Sequence, residues 1–131
     1  MINLELYPIL LDNRKSLRET SKDTSDPNDI QYMTSSEMEV VNFDFVKRHY
    51  ANGFGLSEEV VTSVDAIVPF ENGILFVEFK NGKVNNRKIK DKARDSLLIF
   101  LEIIGEDLAF SRGNIDFVVV YNLEKNPLPR Q

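Results

Sequence analysis

The tightest constraint on this chain lies between residues 60 and 80, VVTSVDAIVPFENGILFVEFK. Two runs rich in β-branched and aromatic residues flank Asn72-Gly73, a dipeptide suited to the tight turn of a β-hairpin. The reading is a strand over 60–70, a turn, and a return strand over 74–80. Side chains alternate along a strand, so Ile74, Phe76, Glu78 and Lys80 share one face, while Leu75, Val77 and Phe79 share the other. Both faces are apolar, so the strand is expected to be covered on both sides. That places Glu78 and Lys80 near an interior, where an unpaired charge costs several kcal/mol, roughly. A mutual pair, a water-filled cleft or a metal ion would compensate.

Asp65 completes the pattern. With an even-numbered turn, opposed positions in the hairpin sum to an odd number, and Asp65 falls opposite Glu78 or Lys80. In either register it shares their face, with opposed Cβ atoms about 4.5–5.5 Å apart. Two carboxylates this close do not both ionise without a cation beside them. A hard cation such as Mg²⁺ takes carboxylate and carbonyl oxygens and keeps several waters.

The rest of the chain supplies the frame. Residues 2–11 suit a strand or packed arm, and the polar stretch 19–35 suits a loop. Capping-box spacing at Thr34–Glu37 or Ser36–Glu39 predicts a helix opening near Ser35 or Ser36 and ending before Gly53, with Met38, Val41 and Phe45 on one face. Asn85 or Asn86 caps a long helix that Gly105 stops near Ile104. Ile89, Ala93, Leu97, Leu101 and Ile104 form its packing stripe, and its second half, apolar nearly all round, is expected to be deeply buried. Residues 111–114 read as a turn, and the apolar run Ile115 to Tyr121 as an interior strand. The expected organisation is an N-terminal arm and loop over 1–35, a core over 36–122 and a disordered tail over 123–131.

The 131 residues suit one domain, and the absence of cysteine excludes a disulfide framework and a thiolate zinc site. No apolar run approaches the roughly 20 residues of a membrane span, and the N-terminus lacks the features of a signal peptide. A cytoplasmic protein with no membrane partner is the expectation. Net charge is −5, yet residues 80–94 hold seven of the sixteen basic side chains and one acid. That ridge, with Lys83, Arg87, Lys88 and Lys92, can hold a polyanion on an otherwise acidic body.

Asp65 followed by Glu78-Phe79-Lys80, on a hairpin with a helix before it and a basic helix and strand after it, resembles the PD-(D/E)XK nuclease superfamily. The resemblance covers roughly residues 36 to 121. It implies an α/β, restriction-endonuclease-like core, with a central mixed sheet flanked by helices. It further implies phosphodiester hydrolysis dependent on Mg²⁺ or Mn²⁺, with nucleic acid as the partner and DNA favoured over RNA. Asp65 and Glu78 would then be metal ligands, Phe79 would lend its backbone carbonyl, and Lys80 would assist the attack. Glu37 or Glu39 would supply the acid of the first helix, and Lys88 or Lys92 would hold a phosphate. Residue 64 is Val rather than Pro, and only two of the usual three strands before the second helix are evident. A mobile-element nuclease or a delivered toxin is the setting to expect, with a homodimer or a cognate inhibitor as protein partners. The rival expectation is a nuclease-fold binding or inhibitory module without activity. Plainer readings stand beside these: Glu78 and Lys80 as an edge-strand ion pair, the basic helix as a solvated face, and His49 as a helix-terminal residue.

Overall fold

The computed structural model describes residues 2–128. After a 3₁₀ turn over Leu4–Leu6 come α1 (Pro8–Leu11), β1 (Arg14–Ser16), α2 (Leu17–Thr20), β2 (Lys22–Asp23) and β3 (Gln31–Tyr32). Then follow β4 (Glu39–Asn42), α3 (Phe43–Gly53), β5 (Ala66–Phe70), β6 (Gly73–Lys80), α4 (Asn86–Ile104), α5 (Leu108–Asn114) and β7 (Ile115–Tyr121). A five-stranded mixed sheet, ordered β1-β4-β5-β6-β7, forms the centre, and β2 and β3 make a separate two-stranded ribbon. Neighbours are antiparallel except β6 and β7, which run parallel and are joined through α4 and α5.

The hairpin forms as its composition dictates. Ala66 pairs with Val77 and Phe70 with Gly73, so opposed positions sum to an odd number. One sheet face places Val41, Ile67, Ile74 and Phe76 against Leu10 of α1, Phe43 and Val46 of α3, and Ile99 and Phe100 of α4. The Phe76 and Phe100 rings meet edge to face at 5.4 Å, a geometry that aromatic quadrupoles favour. The other face is thinner: Val40, Ala66 and Val77, with Leu17 of α2 and Phe79 packed on them. α4 begins at the Asn85 cap, whose side chain accepts from Lys88 N–H, and ends at Gly105, whose φ of 72° is the left-handed conformation glycine adopts without strain.

Several expectations are corrected. The helix expected from residue 35 or 36 begins only at Phe43. Val40 and Val41 are instead buried on opposite faces of β4, as β-branched residues in a central strand are. Asn42 then caps the helix by accepting from Phe45 N–H at 3.3 Å. The strand expected over 60–70 starts at Ala66, and residues 111–114 belong to the end of α5. β7 lies at the sheet edge rather than in its interior, with Val118 37% exposed. The apolar half of α4 is not buried all round, since Leu98 is 55% exposed; the buried stripe runs through Ser96, Ile99 and Phe100.

The N-terminal 35 residues contribute to the core. β1 joins the main sheet and Leu10 is fully buried. Beyond β7, Asn126 ties the chain down: its Nδ2 donates to Gly82 O (3.0 Å) and its Oδ1 accepts from Val84 N–H (2.7 Å). The last three residues of the expected tail lie outside the described residues.

Candidate active site

The site is assembled where β5 begins. Two side chains of α4 hold the approach to it: Asp95 Oδ2 accepts from the N–H and hydroxyl of Thr62 (2.9 and 3.0 Å), and the buried Ser96 Oγ accepts from Val64 N–H (2.8 Å). Asp65 follows directly. Its carbonyl accepts from Phe43 N–H (3.1 Å), and its N–H donates to Val77 O (3.1 Å), one residue out of the hairpin register. Such a local irregularity re-aims a side chain. The Asp65 carboxylate takes over the vacated ladder position, with Oδ2 accepting from Phe79 N–H at 2.7 Å.

This directs Asp65 toward Glu78, on the face the alternation predicts. Burial, reinforced by the neighbouring Glu78 charge, pushes the Asp65 carboxyl up to about 8. Glu78 is 1% exposed. One of its oxygens, Oε2, bonds to Lys92 Nζ of α4 at 2.5 Å. The other, Oε1, is buried without a hydrogen-bond partner. Partial burial is the largest single influence and disfavours the Lys92 ammonium, but the bond to Glu78 together with the Glu78, Asp65 and Asp44 charges outweighs it, and the net direction is upward. Two carboxylates and one ammonium leave an excess negative charge, which a proton on Asp65 or an added cation would neutralise.

The expected residues divide. Asp65, Glu78 and Lys92 converge, and Phe79 is held between them by its N–H. Lys80 does not pair with Glu78: it is exposed, its chain lies over Gly82, and it lines a cleft of about 430 Å³ that also reaches Asp65. The ammonium beside Glu78 therefore comes from the helix and not from the next-but-one strand residue. Lys83, Arg87 and Lys88 are exposed, and none forms an ion pair among the described residues. Glu37 and Glu39 are corrected: Glu37 is exposed before β4, and Glu39 sits on β4 paired with Arg14 at 2.8 Å. Neither is on a helix. The acid that α3 does bring near the site is Asp44, in its first turn. It lines a cleft with Asp65 and its charge acts on Lys92. Sequence reasoning missed it because the capping-box spacing sets the helix start seven or eight residues earlier; a helix begun at the Asn42 cap exposes Asp44 as a first-turn acid.

Among the described residues, no group of three or more His, Cys, Asp and Glu side chains is arranged to hold a metal ion. The set that fits a hard cation is smaller: Asp65 and Glu78, with a buried carboxylate oxygen lacking a partner. His49 lies away from this set, with Nδ1 3.1 Å from Asn13 Nδ2. No helix among the described residues is long and apolar enough to cross a membrane. In comparisons with known proteins, no family model, curated protein or solved structure matches the chain.

Proposed function

We propose that the chain is a metal-dependent nuclease of the PD-(D/E)XK type, hydrolysing phosphodiester bonds in nucleic acid, with DNA the first substrate to test. The observation that carries this reading is the facing pair Asp65 and Glu78, whose buried Oε1 lacks a partner. The succession of hairpin, long helix and strand parallel to β6 supports the restriction-endonuclease-like assignment. In this reading Asp65, Glu78 and the Phe79 carbonyl would hold Mg²⁺ or Mn²⁺, whose chemistry when bound would be to make a water more nucleophilic and to offset charge on a phosphoryl oxygen. Lys80, without an ion pair among the described residues and lining the Asp65 cleft, orients the attacking water or the phosphate. Lys92 fixes the Glu78 carboxylate, and Asp44, paired with Arg48 at 2.9 Å, lines a cleft that Asp65 also lines.

The experiment adds Mn²⁺ to the purified protein and follows both melting temperature and degradation of DNA and RNA. A cation-dependent rise in melting temperature with cutting, both lost in Glu78→Gln and the cutting alone lost in Lys80→Ala, is the expected result. One observation favours a second reading: Glu78 already has Lys92 and is closed to solvent. A flat response to Mn²⁺ and no cutting would make the trio a structural ion pair and the protein a binding module.

A further inference from the structure

Asp65 lies where two clefts meet. One limb carries Lys15 and Phe45 with the acids Glu19 and Asp44, the other Lys80 and Lys125 with Asp23, and both include Lys22. The shared residues Lys22, Thr24 and Asp65 make them adjoining limbs, taken together as one groove past the acid. All four lysines are exposed, and none forms an ion pair among the described residues. Three of them come from outside the basic ridge of residues 80–94, from β1, β2 and the segment after β7. Unpaired ammonium groups spaced along a groove, with an aromatic ring among them, are what a polynucleotide backbone and its bases bind.

Residues 21–25 form one wall of the Lys80 limb and residues 80–82 the other. The walls are tied together: Asn81 Nδ2 donates to Asp23 Oδ2 and to Gln31 Oε1, both at 2.9 Å. Asp23 is suited to hold this tie, because the Ser25 N–H and then Asn81 lower its carboxyl to about 2. The limb's volume, about 430 Å³, falls in the size class of a single small-molecule site, roughly 300–1,000 Å³. Walls tied to each other restrict what can reach Asp65, and a single strand is slimmer than a base-paired duplex.

We propose that the groove takes a single polynucleotide strand, lying along Lys15, Lys22, Lys80 and Lys125 with a phosphate over Asp65. The proposal rests on the nuclease reading for what happens to that strand, but the binding is testable without it. Fluorescence anisotropy of a labelled short oligonucleotide, single-stranded or annealed, is measured on the full chain in chelator, so that no cutting occurs. Single-stranded DNA, single-stranded RNA or both should bind at least about ten times more tightly than duplex. Lys15→Ser, Lys22→Ser and Lys125→Ser should each flatten the dependence of log K on log salt by about 0.7, while Lys90→Ser, on the outer face of α4, should not. Duplex binding as tight as single-strand binding overturns the proposal, as does a Lys90→Ser effect equal to that of the groove variants. Mn²⁺-dependent cutting is scored separately. Single-strand binding without cutting keeps the groove and removes the nuclease, whereas cutting of duplex at the single-strand rate keeps the nuclease and removes the groove's selectivity.

Discussion

Lys92 is the residue on which the buried charges turn, because among the described residues it is the only ammonium bonded to Glu78. Removing one partner of a buried pair leaves the other uncompensated, at a cost of roughly 3–5 kcal/mol. Lys92→Met should fall near the lower end, about 3 kcal/mol by urea denaturation, since the Lys92 side chain is 34% exposed. The double variant Glu78→Gln/Lys92→Met should recover most of that loss, and the cycle measures the coupling. Asp65 makes a different prediction. Its carboxyl titrates near 8 in the folded chain, against 3.8 ordinarily, first through burial and then through Glu78. Between those values the folded state holds a proton that the unfolded state has released. Its stabilising contribution is therefore complete below about pH 4, falls steadily as pH rises, and is gone above about pH 8. Melting temperature followed from pH 4 to 8 should decline more steeply in the parent protein than in Asp65→Asn. In the proposed metal site a cation would displace the same proton, so Mn²⁺ added at pH 7 should release close to one proton per ion, read as buffer-dependent heat in calorimetry.

At the level of elements, the hairpin, α4 and β7 were legible because each carries a strong local signal. Asn72-Gly73 flanked by β-branched runs, the Asn85 cap, the Gly105 stop and an unbroken apolar run need no information from elsewhere in the chain. β4 was not legible. It is four residues long, and Met38, Val41 and Phe45 happen to sit at helical spacing, so the helix that follows it seemed to start early. Placing β7 at an edge also requires the sheet order, which local patterning does not contain. α4 does more than cross from β6 to β7. Ser96→Ala would leave the Val64 N–H buried without a partner, costing about 1–3 kcal/mol. The denaturation midpoint should fall with its slope unchanged. Because Val64 precedes Asp65, the cation-dependent rise in melting temperature should shrink as well.

For the whole molecule, the face shared by Asp65 and Glu78 was legible in the sequence, while the partners that complete it were not. Strand alternation is strict enough to place two acids together. It says nothing of which cation will meet them, and the ion pair to Lys92 spans an entire helix-strand crossing. The lysines of β1, β2 and the C-terminal segment were equally hidden, since their approach to Asp65 depends on long-range pairings. The most consequential of these pairings is β1 on β4, with Leu10 fully buried beneath. The N-terminal third is thus woven into the same body as the hairpin, yet residues 24–30, between β2 and β3, are all exposed. A protease admitted at Asp26-Pro27-Asn28 would sever the backbone without separating the pieces. The two fragments should elute as one species under native conditions and part only in denaturant, making this bend a natural place to divide the polypeptide into halves that find each other again.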